Sequence, residues 1–489
     1  MIKLNRLHSL ILLAAILCVP AARGQQSGAD KNPGSDKNDL REQPVAPSAA
    51  VMSSGGAGVS ALDLPQAPSA EVQVAADDQP ISGVKELTVG SNVGARNFLL
   101  PSISVVSQLG LSSSGSGLDH PTMSTYLLGS LDLNHVSDRS EVELHYSGGE
   151  MFSNYLNSAV QDLQFSYDYK WRRWSLLVGD EGNYLSESPF GFGGVGGLAF
   201  LDGIAQSGLG GPFFNSILTP NQTIPTIIVP RVSNTAVSQI EYTVSPRSTW
   251  TASGSFGTLN FLGAGFINSN QGQFQTGYNY SLSPESSVAL IYRFDIFQYS
   301  QFPQRIQDHV AQLGYGRYVT GRLSFQVAAG PSFETMDGLV TSSVNRVSWA
   351  VDSSLNYQMD RTAFLLIYDH LVTGGSGVFV GAQTNQVEAT VQRRLSPKWQ
   401  ASVSLGYATN RNLIPILTNL SGELPLNSWY VVARFNHQVR PGSSFFLSYG
   451  VRRQAVAVVG CVTLGCATNS IGHEFSAGFN FGLRPFIFR

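Results

Sequence analysis

The chain has 489 residues, length enough for several soluble domains, yet only 13% of them are charged, about half the roughly 25% usual in soluble proteins. A net charge of -3 gives no reason to expect nucleic acid as a partner. Past the N-terminus no run approaches the roughly 18 to 20 consecutive apolar residues that a spanning helix needs, which excludes a helical membrane protein.

The chain opens with Lys3 and Arg6 ahead of an apolar stretch from Leu10 to Leu17, then Pro20 and small residues at Ala22 and Gly24. This is the pattern of an export signal, read as residues 1–24 with cleavage after Gly24. Cys18 falls inside that discarded peptide. Residues 25–96 follow, rich in Ala, Ser, Pro, Gly, Gln and Asp with scarcely an aromatic. Such a segment buries too little apolar surface to offset its ordering entropy, so a disordered periplasmic spacer is predicted, with 84–96 open to a short extra strand.

From Asn97 a single unit recurs: two alternating apolar and polar runs joined by a tight turn. The turns fall at Ser137-Asp138-Arg139, Trp171-Arg172-Arg173, Ser245-Pro246-Arg247, Ser283-Pro284-Glu285, Thr320-Gly321, Met359-Asp360-Arg361, Ser396-Pro397-Lys398 and Arg440-Pro441-Gly442. Their spacing is roughly 33 to 44 residues, with one interval of about 74 that marks an insertion at 185–233. The alternation is plainest around Ser396. Val387, Ala389, Val391, Trp399, Ala401, Val403, Leu405 and Tyr407 share one parity, and Gln386, Glu388, Thr390, Gln392, Gln400, Ser402 and Ser404 the other.

A soluble sandwich also alternates. Here the runs exceed the five or six residues typical of soluble strands, the connections alternate between very short and longer, and aromatics gather at run ends. Trp171, Trp174, Trp250 and Trp399 flank short turns, while Trp349 and Trp429 lie nearer the opposite ends. Two aromatic girdles are the mark of a wall crossing a bilayer. A first strand at Asn97–Ser112, eight hairpins and a last strand at Ile471–Leu483 predict an all-β, transmembrane, antiparallel up-and-down β-barrel of about eighteen strands over 97–489, with sixteen as the alternative count. Closure is required because an open edge in lipid leaves amides unpaired at several kcal/mol each.

The tail Ala477-Gly478-Phe479-Asn480-Phe481-Gly482-Leu483 resembles the terminal strand signal of Gram-negative outer-membrane porins, and the likeness covers the architecture from Asn97 onward. It departs in continuing through Arg484-Pro485-Phe486-Ile487-Phe488-Arg489. The resemblance implies residence in the bacterial outer membrane, contact with its lipid, handling by the barrel insertion machinery, and assembly as a homotrimer. It also bears on the insertion, because in porins the loop after the fifth strand narrows the channel. Ser188-Pro189-Phe190-Gly191-Phe192-Gly193-Gly194 is similar to the start of that constriction loop without its acidic residue. Phe213 and Phe214 need burial or a partner, which favours a constriction over a disordered or lid-like surface loop, the alternative.

Cys461 and Cys466 sit in a Gly/Val-rich loop of an exported chain, where a disulfide is favoured over free thiols. Metal ligation is disfavoured, since His473 begins the next strand. On the polar parity Asp132, Glu141, Glu143, Asp162, Asp168 and Glu241 come early in the chain, whereas Arg293, Arg346, Arg394, Arg434 and Arg452 come late. In a meander barrel these would form acidic and basic arcs lining a pore, diluted by Asp295, Asp352 and Glu388. The histidines are scattered and build no catalytic set, so neither an enzyme nor a cofactor is expected; a barrel lipase is the minority alternative. The predicted function is passive diffusion of small hydrophilic solutes. The rival readings are a non-conducting structural or partner-binding barrel and an uptake channel for apolar compounds.

Overall fold

The computed structural model describes residues 97–114, 117–118, 121–154, 157–185, 230–263, 266–337, 343–375, 379–413, 425–440, 443–456 and 469–488. The expected signal, the spacer, the insertion residues Pro189, Phe190, Phe192, Phe213 and Phe214, and Cys461 and Cys466 lie outside them. Every regular element among the described residues is a strand.

Eighteen strands form the wall: β1 (Asn97–Ser114), β2 (Thr122–Val136), β3 (Ser140–Ser153), β4 (Ser158–Trp171), β5 (Trp174–Leu185), β6 (Arg231–Ser245), β7 (Ser248–Phe261), β8 (Ser269–Ser283), β9 (Ser286–Tyr299), β10 (Arg305–Thr320), β11 (Leu323–Asp337), β12 (Val344–Met359), β13 (Thr362–Thr373), β14 (Ala382–Arg394), β15 (Trp399–Asn412), β16 (Leu426–Arg440), β17 (Ser443–Val456) and β18 (Asn469–Gly482). Each is antiparallel to the next, and β1 joins β2 on one side and β18 on the other, with Val105 opposite both Leu127 and Phe479. The sheet is therefore a closed antiparallel barrel of eighteen strands. The C-terminal departure noted above is a continuation of the wall, since Phe486–Phe488 pairs with Asn97–Leu99 below the end of β18.

Local chemistry sets the tight turns. Ser245, Ser283 and Ser396 each accept a hydrogen bond at their Oγ from the backbone N–H two residues on, at 3.2, 3.2 and 3.3 Å. Thr320 does the same for Arg322 at 3.2 Å. A Ser or Thr side chain that copies a backbone turn is why Ser-Pro-X recurs at this end. In the turn joining β4 to β5, Arg172 adopts φ 43°, the left-handed backbone that two-residue hairpin loops require.

The strand period of two then separates the faces. Outward side chains are large, apolar and exposed, among them Phe256 at 54%, Leu290 at 66% and Leu313 at 68%. Inward ones are polar and buried: Asp132, Asn134 and Asp308 are 0% exposed and Arg293 2%. This inverts the arrangement of a water-soluble domain, in which exposed apolar patches of this extent do not persist. The surroundings that satisfy such an exterior are acyl chains, and the fold is a transmembrane β-barrel.

One stretch of wall is incomplete. β12 pairs with β11 up to Val344, whereas its pairing with β13 runs only from Met359 to Val351, opposite His370. Among the described residues, 344–350 have no strand neighbour on the β13 side.

Candidate functional site

β12 stands alone there because the β13–β14 hairpin leaves the wall. Beyond His370 it pairs only within itself, Thr373 opposite Ala382, and its tip turns into the lumen. Val372 and Leu413 pack against Phe297, Tyr299, Ile306 and Met336, inward residues of β9, β10 and β11, with Ile267 and Val380 beside them. A Cβ built on Gly374 would meet Phe297 at 3.3 Å, and one on Gly381 would meet Ile306 at 2.1 Å. The hairpin thus crosses the lumen side of β12, β11 and β10 to reach β9, resting on an apolar patch in an otherwise polar interior. Gly375 and Gly381 take φ +79° and +75°, and Phe379, whose N–H donates to the Gly375 carbonyl at 3.0 Å, is 1% exposed. Side chains bridge the seam left behind: Arg346 donates to Gln383 at 2.6 Å, lies 3.9 Å from Glu334, and Gln383 contacts His370 at 3.1 Å.

Asp132, Glu141, Glu143, Asp162, Asp168 and Glu241 line the inner side of β2, β3, β4 and β6, and Arg293, Arg346, Arg394, Arg434 and Arg452 that of β9, β12, β14, β16 and β17. Their pairing differs between the two groups. Arg293 lies 2.9 Å from Asp295 and 3.6 Å from Asp352, which also accepts from Gln312 at 2.8 Å. Arg434 donates to Asn436 at 2.9 Å and covers the Phe446 ring at 4.3 Å. On the acidic side, Glu141 is the register mate of Asp168 and Asn134 that of Glu143. Asp132 is held by His145, and Asp168 by Lys170 at 3.1 Å.

Parity read strictly along β5, β10, β11 and β13 also puts Glu181, Asp308, Glu334 and Asp369 inside. These were legible in the sequence and were missed. They matter because Asp308 and Glu334 stand beside Arg293 and Arg346, so the later wall carries offsetting charge while the early wall stays acidic. The inward hairpin had no comparable signal, since residues 374–381 read as an ordinary connection.

No protein family matches the chain, and no characterised protein does so by sequence. Among solved structures it is similar to *Pseudomonas aeruginosa* OpdL (10% identity, TM-score 0.41, covering 79% of this chain and 98% of that one). It is likewise similar to OccK2 (OpdF) from the same organism, solved with glucuronate (9%, 0.43, 79% and 98%), and to the outer membrane protein OpdK (11%, 0.40, 79% and 99%).

Proposed function

We propose that the chain is a porin-like channel of the bacterial outer membrane, through which small hydrophilic solutes diffuse passively. The observation that carries this reading is the unmet hydrogen-bonding demand of the interior. One carboxylate oxygen each of Asp132, Glu143, Asp162, Glu181 and Asp308 has no partner among the described residues, and a buried polar atom without partners is costly. Water threading the lumen supplies them, as polar cavities large enough to hold it do.

An eighteen-stranded barrel is wide enough for an aqueous channel, and the β13–β14 tip narrows this one. The apolar patch it occupies serves as its dock.

Planar-bilayer recording of the purified chain under a salt gradient tests the proposal. Discrete conductance steps are expected, with a reversal potential that moves when Arg293 and Arg434 are both changed to Glu. A barrel that inserts without conducting would overturn it.

A further inference from the structure

The early lumen wall carries more than a diffuse negative charge. Asp132 and Asn134 on β2, Glu143 and His145 on β3, Asp162 on β4 and Glu181 on β5 share one inward face. The registers juxtapose them: Asp132 faces His145, Asn134 faces Glu143, and Gln164 faces Glu181. Cations are scarce on this wall. His145 is taken by Asp132, Lys170 is paired and 64% exposed, and Arg231, at the start of β6, stands two positions beyond Ser233, which is level with Asp162 through Asn183.

A second observation is independent of the charge. Asn134 is 0% exposed, yet neither its Oδ1 nor its Nδ2 has a hydrogen-bond partner among the described residues. Its register mate Glu143, 2% exposed, likewise has an Oε1 without a partner. Asn134 Oδ1 and Glu143 Oε1 put two acceptors on one inward register pair, with Asn134 Nδ2 as its donor. It asks for a donor that is compact, positively charged and able to make several bonds at once, as a primary ammonium or guanidinium group does. An anion would meet a face on which carboxylates outnumber donors such as Asn134 Nδ2, and a neutral sugar would leave their charge unopposed.

We infer that this face of β2–β5 is a binding track for organic cations, making the channel selective for amines over neutral and anionic solutes of the same size. The inference rests on the channel reading and specifies its substrate class. Asp132, Asp162 and Glu181 supply the attraction, while Asn134 and Glu143 hold the head group. A wall of one sign raises the local concentration of opposite charge by roughly tenfold or more.

Three four-carbon probes that differ only in charge test it: 1,4-diaminobutane, 1,4-butanediol and succinate, compared in liposome swelling with the full chain. Diaminobutane is expected to enter fastest and succinate slowest. The variant Asn134→Leu/Glu143→Gln should cut the ratio of diaminobutane to butanediol entry roughly tenfold, and Asp162→Asn alone should cut it less. Equal entry of all three probes through a conducting wild-type channel would overturn the cation track and leave the channel standing. A similar loss of butanediol and diaminobutane in the variants would assign these residues to the wall and likewise overturn it. Failure of every probe to enter would instead count against the channel itself.

Discussion

Gly375 offers the sharpest handle on the inward hairpin. Its φ of +79° costs a residue bearing a Cβ about 1–2 kcal/mol. That Cβ would also stand 2.4 Å from the Phe379 carbonyl oxygen and 2.8 Å from the Gly381 nitrogen, and backbone atoms of the same turn cannot swing aside as a side chain does. Together these give Gly375→Ala a penalty of about 2–4 kcal/mol, which at 1.4 kcal/mol per decade weakens docking of the tip roughly 30- to 700-fold. The turn lies outside the paired wall, so the barrel itself should keep its heat resistance on a denaturing gel. Single-channel recording should then reveal a larger conductance with more frequent transitions. Gly321→Ala is the control, because its added Cβ meets nothing within 4 Å. A folded Gly375→Ala barrel with wild-type conductance and noise would refute the claim that this tip narrows the pore.

Replacing Arg293 with Met leaves Asp295 and Asp352 without their cation; an uncompensated buried charge costs about 3–5 kcal/mol, so the urea midpoint should fall and the reversal potential should move toward cation selectivity. Arg346→Ala removes the bond to Gln383 that bridges the seam, and current noise should increase with little change in the mean conductance at low voltage. On the lipid-facing side, Asn234 donates to Asp180 at 2.9 Å; Asn234→Leu leaves that carboxylate unpaired and should lower unfolding stability in vesicles by about 1–3 kcal/mol, whereas Asp180→Leu/Asn234→Leu should restore most of it.

The barrel was legible because its period is enforced by two solvents at once. Val387 to Val391 could not slip by one position without driving Gln386, Glu388 and Gln392 into acyl chains. The short turns were legible for a related reason: Ser-Pro-X encodes its own hydrogen bond. What the sequence concealed depends on choices made between elements. Val372 carries the outward parity of its strand yet ends on the inner wall, because the whole hairpin bends inward beyond His370. Phe297, Ile306 and Met336 interrupt a polar face at positions that look like errors of alternation until the segment resting on them is known. The expected basic arc, diluted by Asp295 and Asp352, did not say which partner each arginine takes: Arg293 reaches Asp352 across two intervening strands, and no one-dimensional pattern reports that contact.

The unaccompanied stretch of β12 has one more consequence, for how the protein sits in its bilayer. Among the described residues, 344–350 have no strand neighbour on the β13 side, since that pairing stops at Val351 opposite His370; backbone donors and acceptors so placed cannot be immersed in hydrocarbon and must stand where water reaches them. Trp349 then marks the water boundary, and the seam works as a depth gauge, fixing from the peptide itself how deep this end of the barrel can sit.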